Sequence, residues 1–148
     1  MLAAIRIRGR AGVRSDVEKT LKYLRLTRVN HLVILPKTPS IIGMLEKAKD
    51  YITWGDIDKK TLEELIVKRG RLMGDKPIDQ AYLQSINFKS VEDLVNAIME
   101  KKINYNDLPN IKPVFRLNPP RGGYKNTKRS VKEMGDLGYR GKEINDLI

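Results

Sequence analysis

Apolar and polar positions change rhythm several times along the chain, and each change predicts an element. Residues 2–8 alternate, with Leu2, Ile5 and Ile7 apolar and Arg6 and Arg8 set off from the isoleucines. A period of two predicts a half-buried strand with both arginines on the face opposite Ile5 and Ile7. Gly9-Arg10-Ala11-Gly12 follows as a loop whose glycines let backbone N–H groups approach an anion closely. Val17, Leu21 and Leu24 are spaced four then three, which predicts a helix from about Asp16 to Leu26, opened by a capping box of Ser15 and Glu18. His31-Leu32-Val33-Ile34-Leu35 is an apolar run stopped by Pro36 and reads as a buried strand. Thr38 as N-cap and Pro39 at the first helical position open a second helix, with Ile41, Ile42, Leu45 and Ala48 on its apolar face. Gly43 interrupts that helix at a cost of roughly 1 kcal/mol against Ala, which predicts close approach of another group there. Tyr51-Ile52-Thr53-Trp54 is a third short strand before Gly55.

Residues 1–55 therefore read strand, helix, strand, helix, strand: an α+β core of two layers. Residues 56–110 read as a helical extension. Asp58 caps a helix to about Arg69 with Leu62, Leu65 and Ile66 on one face, and Ser90 and Asp93 start another with Leu94, Val95, Ile98 and Met99. Residues 111–148 form a third segment. In it, Val114-Phe115-Arg116-Leu117 is strand-like and Asn118-Pro119-Pro120-Arg121-Gly122-Gly123 is a rigid-then-flexible turn. From Lys125 onward apolar residues are few, so this tail is expected to order only against a partner.

Charge sharpens this division. The 148 residues carry 29 Lys+Arg against 18 Asp+Glu, a formal net charge of +11. Residues 1–54 hold +7, residues 55–110 hold −1 and residues 111–148 hold +5. Residues 1–15 and 111–132 contain no acid at all. A surplus kept for solubility would be spread more evenly, so the distribution points to an anionic partner touching both ends. A membrane surface fits poorly, because neither basic stretch forms a helix with an apolar face. No apolar run has the length of a signal sequence or a membrane span, so a cytoplasmic location is expected.

Catalytic chemistry finds little support. There is no Cys, which excludes disulfides, Cys-ligated zinc, iron–sulfur clusters and thiol nucleophiles. The one His, His31, heads an apolar strand and reads as a hydrogen-bonding residue. Asp56 and Asp58 stand in a capping context, Glu63-Glu64 is a helix face, and Ser40 and Ser130 have no evident base. No catalytic residues, metal, cofactor or small-molecule substrate are expected.

Several stretches resemble archaeal-type members of the large-subunit ribosomal protein L-thirty family, which includes the longer eukaryotic L-seven proteins. They are Arg8-Gly9, Val29-Asn30-His31, Gly43-Met44, Trp54-Gly55 and Thr61-Leu62-Glu63. The most specific are Phe115-Arg116-Leu117-Asn118-Pro119-Pro120-Arg121-Gly122-Gly123 and Val131-Lys132-Glu133-Met134-Gly135-Asp136-Leu137-Gly138. Asn118 departs from the His of some relatives, and both side chains form hydrogen bonds. The resemblance implies a core with a three-stranded antiparallel sheet and a structural, non-catalytic role in the large ribosomal subunit, bound to its rRNA beside neighbouring ribosomal proteins.

The residue reading and the resemblance together name the expected RNA contacts. Arg6, Arg8, Arg10 and Arg14 flank the glycine loop; Arg28, His31, Lys37 and the Thr38-Pro39 helix start form a second region; Arg116, Arg121, Lys125, Lys128, Arg129 and Lys132 form a third. Recognition is expected to be of phosphate and shape. Two rivals share the charge pattern: a non-ribosomal RNA-binding or RNA-processing factor, and a small enzyme on an anionic substrate.

Overall fold

A computed structural model of the chain describes residues 1–9, 11–119, 123–124, 130–133 and 135–148. The five predicted elements of the first segment are present: β1 (Leu2–Arg6), α1 (Ser15–Tyr23), β2 (His31–Leu35), α2 (Pro39–Lys47) and β3 (Ile52–Asp56). They are followed by α3 (Lys59–Arg69), α4 (Gln80–Ser85), α5 (Val91–Met99), β4 (Val114–Arg116), β5 (Gly138–Tyr139) and α6 (Ile144–Leu147).

Local chemistry accounts for most helix starts. Thr38 Oγ1, Asp58 Oδ1, Asp79 Oδ1 and Ser90 Oγ accept the N–H groups of Ile41, Thr61, Tyr82 and Asp93 at 3.3, 2.7, 2.9 and 3.3 Å. The capping box expected at Ser15 does not form. Ser15 lies inside the first turn, Arg14 holds the cap position, and Asp16 Oδ1 takes the Val17 N–H instead. Helix α1 also stops at Tyr23 rather than Leu26. Arg25 turns left-handed (φ 64°), the Arg25 N–H donates to Lys22 O and the Leu26 N–H donates to Leu21 O. This paired closure satisfies the last carbonyls and tucks Leu26 into the core.

The α+β class is as expected, but the sheet is not three-stranded. Five strands lie in the order β4-β2-β1-β3-β5. The expected β2-β1-β3 unit is its antiparallel centre, with Ala4 opposite both Val33 and Trp54. β4 adds antiparallel to β2, and β5 adds parallel to β3. Both edges offered unpaired backbone groups, and segments from the C-terminal third take them.

The layering also differs. β1 was expected to be half-buried, yet all five of its residues are buried. Leu2 and Ala4 face a cluster with Val17 and Leu21 of α1 and Leu45 of α2. Ala3 and Ile5 face a second cluster with Leu62 and Ile66 of α3, Leu94 and Ile98 of α5, and Phe115 of β4. Residues 56–110 therefore cover the second face, making a helix–sheet–helix arrangement. The expectation that residues 124–148 order only against a partner fails for their described part, since Leu137 and Ile144 are core residues. A Cβ added at Gly43 would meet no atom within 4 Å, so this glycine faces open space. The close approach occurs at Gly55, where a Cβ would stand 2.1 Å from Gly141 O.

Candidate nucleic-acid interface

Strand direction decides where the basic residues gather. Because β1 runs antiparallel to β2 and β3, its C-terminal end lies beside the starts of both. β4 runs antiparallel to β2, so its C-terminal residue joins them, with Arg116 opposite His31. One end of the sheet thus collects Arg6, Arg8, Arg28, His31 and Arg116. The described flanks of both acid-free runs also leave the sheet here: residues 7–9 after β1, and residues 117–119 after β4.

These residues do different work. Arg6 was expected to touch phosphate, but it is only 2% exposed. By alternation it continues the Leu2-Ala4 row, which the first helical layer covers. Its guanidinium donates to Leu26 O at 2.8 Å, Arg8 O at 2.8 Å and Gly9 O at 3.3 Å. Arg6 therefore holds the loop from inside rather than presenting its guanidinium at the surface. Arg8 is partly exposed; its guanidinium lies 5.0 Å above the Tyr51 ring and donates to Asp50 O at 3.3 Å. Stacking on a ring fixes a guanidinium while leaving donors outward. Arg28 and Arg116 are exposed.

His31 sits among these cations. Burial first, then the charges of Arg116, Arg28 and Arg6, hold its imidazole below the ordinary value of 6.5, so it is neutral at pH 7. Its Nδ1 is buried and has no hydrogen-bond partner among the described residues.

The rest of the expected set is divided. Lys37 does not join His31: His31 opens β2 and Lys37 follows its far end, with the four strand steps between His31 and Leu35 alone spanning about 14 Å at roughly 3.4 Å per residue. It pairs instead with Asp56 at 3.3 Å. The Tyr139 hydroxyl, then Lys37, hold the Asp56 carboxyl below its usual value. Arg14, with its side chain 79% exposed, reaches Asp16 at 3.1 Å just before α1. Lys132 is exposed on a single 3-10 turn, Val131–Glu133, leading towards β5. Arg10, Arg121, Lys125, Lys128 and Arg129 lie outside the described residues.

Three groups behind this end were missed in the sequence. Asn30, left-handed at φ 66°, donates its N–H to Arg6 O, accepts from the Leu117 N–H, and takes the Tyr124 hydroxyl on Oδ1 at 2.9 Å. It ties β1, the segment after β4 and residue 124 to one point. Asn is among the non-glycine residues that tolerate this conformation, a signal its sequence offers beside the Val29-Asn30-His31 resemblance. Arg140 and Asp136 form an ion pair at 3.4 Å with both side chains largely buried, and Arg140 Nε also donates to Thr53 Oγ1 at 2.8 Å. Thr53 Oγ1 in turn donates to Gly138 O, fastening β5 to the sheet.

No cluster of three metal-ligating side chains occurs among the described residues, and no described helix is long and apolar enough to cross a membrane. Fold and charge define a small α+β protein with one arginine-rich sheet end, a form suited to polyanions. Comparison with known proteins makes this specific. The family model described as Ribosomal protein L30p/L7e matches residues 2–52. The large ribosomal subunit protein uL30 of Nanoarchaeum equitans is 53% identical over 150 residues, covering 100% of this chain and 96% of its own. Its counterpart in Methanosphaera stadtmanae is 49% identical over 149 residues, covering 100% and 97%. That of Staphylothermus marinus is 50% identical over 155 residues, covering 100% and 96%. The chain belongs to the L30p/L7e family of ribosomal proteins, the family its turn and Val-Lys-Glu stretches resemble.

Proposed function

We propose that this chain is a structural constituent of the large ribosomal subunit that holds rRNA against the arginine-rich end of its sheet. The observation that carries this reading is similarity along the whole chain to large-subunit proteins. The geometry supports one way for the binding to work. Arg8, Arg28 and Arg116 present guanidinium groups from three different segments, and a planar fork binds phosphate in two places. Arg6 and Asn30 fix the loops that carry them, so less order has to be created on binding. Arg10, Arg121, Lys125, Lys128, Arg129 and Lys132 extend the same contact along folded RNA. Lys37 and the α2 start belong to a separate contact at the opposite end.

In this reading residues 1–55 are the RNA-binding core, residues 56–110 cover its second face and residues 111–148 supply the basic strand and tail. The role is structural rather than catalytic, as in the family. The partners are large-subunit rRNA and neighbouring ribosomal proteins, and the location is the cytoplasmic ribosome.

Sedimentation of cell extract in high salt tests the assignment. The protein is expected to travel with large subunits; recovery at the top of the gradient would favour the rival RNA-processing factor. A salt titration of RNA binding tests the site. Arg116→Ala is expected to lower the salt slope by about one phosphate contact, equally across RNA sequences.

A further inference from the structure

The sequence between α3 and α4 breaks the neutrality of the middle of the chain. Residues 55–110 sum to −1, yet the nine residues 68–76 hold Lys68, Arg69, Arg71 and Lys76 against one acid, Asp75. From Arg71 they fold into a tight hairpin. Arg71 pairs with Pro77, the Leu72 N–H donates to Lys76 O at 2.7 Å, and Gly74 and Asp75 turn left-handed at φ 87° and 60°. The hairpin is fastened to the residues that lead into β4. Leu72 pairs with Ile111, the Met73 N–H donates to Asn110 O at 2.8 Å, and the Lys112 N–H donates to Arg71 O at 2.9 Å. Residues 73–77 are exposed, so a tip held by backbone bonds faces solvent. Its charge continues that of the sheet end. Lys112 pairs with Asp75, and the hydrogen bond and charge of Lys112, then the charges of Arg116 and Arg71, hold the Asp75 carboxyl below its usual value. Asp75 thus lies in the field of Arg116, a member of the arginine-rich end. Several other acids of the middle segment answer other groups: Asp79 caps α4, Glu92 pairs with Lys59 and Glu100 pairs with Lys102.

We propose that this hairpin is a further rRNA contact, in which Arg71, Lys76 and Lys112 carry the phosphate contact of Arg116 along β4 and onto the second layer. With Arg116 these are four cations against the one charge of Asp75, a net +3 on a short stretch of surface. A run of cations continuous with the arginine-rich end suits the evenly spaced phosphates of one RNA strand better than the scattered carboxylates of a protein surface. The hairpin is already ordered by its bonds to residues 110–112, so little order has to be created on binding. The contact reads backbone and shape. Asp75 is the group that opposes it, since it repels phosphate and occupies Lys112. Removing its charge strengthens binding, an effect that a merely structural hairpin would not show. The proposal rests on the RNA-binding reading and extends it to a segment whose summed charge conceals a basic surface.

The test measures binding of a fully paired RNA stem-loop to the full chain, by fluorescence anisotropy at about 0.15 M salt. Asp75→Asn keeps a residue that tolerates the left-handed turn, and it is expected to bind about three-fold tighter. Lys76→Glu alters an exposed side chain and is expected to bind about ten-fold weaker, with the salt slope lower by about one contact. Lys102→Glu changes the net charge equally, at a side chain 73% exposed just after α5. It is expected to stay within about two-fold of the unaltered protein, because salt screens charges distant from the RNA. A Lys76→Glu loss no larger than that of Lys102→Glu, or an Asp75→Asn variant that binds no tighter, overturns the proposal. Contact of the hairpin with a neighbouring protein would give that result. Arg8→Ala separates the two readings, because Arg8 stacks on Tyr51 at the β3 side of the sheet, across β2 and β1 from β4. If Arg8→Ala weakens binding and Lys76→Glu does not, only the hairpin contact fails. If neither does, the RNA reading itself fails.

Discussion

Replacing Arg6 with Met separates a residue that touches RNA from one that holds the residues that do. Met keeps most of the aliphatic stem and removes the guanidinium. Among the bonds lost, those to Leu26 O and Arg8 O are short, at 2.8 Å, and one to Gly9 O is long, at 3.3 Å. Hydrogen bonds from a charged donor contribute about 1.5–3 kcal/mol each. Taking the low end for the two short bonds and nothing for the long one gives about 3 kcal/mol. The methionine no longer buries a charge, which offsets part of the loss. Against that, the Leu26 carbonyl keeps its desolvation without its donor from residue 6, which restores much of the cost. For a domain of this size 1 kcal/mol moves the melting point by about 2–4 °C, so Arg6→Met is expected to lower it by about 6–12 °C.

The paired assay is a salt titration of RNA binding below the melting range. A buried guanidinium releases no counterions, so the salt slope of Arg6→Met should match that of the unaltered protein even as affinity falls through loss of loop order. Arg8→Ala should do the reverse, with little loss of stability and a slope lower by about one contact. An Arg6→Met variant of unchanged melting point and reduced slope would refute the reasoning. It would mean that the guanidinium reaches phosphate directly.

Two glycines give opposite expectations: Gly43→Ala is expected to stabilise by about 0.5–1 kcal/mol, because it lies in the exposed interior of α2 with open space around it. Gly55→Ala is expected to cost about 1–3 kcal/mol or more, because the new methyl would meet Gly141 O and Ile144, and urea midpoints compare the two. The depressed pKa of His31 gives a pH dependence. The unfolded chain binds its proton more readily, so this contribution to stability is complete above about pH 6.5 and is lost as pH falls through the lowered folded value. Phosphates at the same site favour the proton, so RNA binding near pH 6 should take one up. Calorimetry in buffers of different ionisation heat measures this, and His31→Asn should abolish it.

Periodicity placed every element of the first segment, because each carries an apolar spacing of its own that shows whether it is helix or strand. What it could not show was whether a second layer existed. Alternation puts Arg6 on the face opposite Ile5, which is correct, but the depth of that face depends on α1 and on Leu26 twenty residues away. Likewise Ala3 and Ile5 are buried by α3, α5 and Phe115, whose own periodicity says nothing about where they dock. β5 is two residues long and begins at Gly138, so no pattern exists to be read; it forms because β3 offers an edge and Thr53 and Arg140 fasten it. At the site, charge counting found the cations. It could not sort Arg6 from Arg8 or separate Lys37 from His31, because both depend on strand direction and on which neighbours are anionic.

The neutral middle of the sequence explains why the basic ends meet. A sheet covered on both faces leaves its ends as the remaining surface on which strand-borne loops can present charge. The covering segment, residues 55–110, has a net charge of −1, so it can dock without adding repulsion to the +7 of residues 1–54. Antiparallel pairing then brings the end of β1, the start of β2 and the end of β4 to one edge. The repulsion concentrated there is partly relieved by keeping His31 neutral and by directing the Arg6 guanidinium onto carbonyl oxygens. In the proposed binding mode polyanionic RNA relieves the rest, which couples binding to the stability of this end. Added RNA should therefore protect the amides of the segments around Asn30 and Leu117 from exchange more than those of α5 on the neutral face.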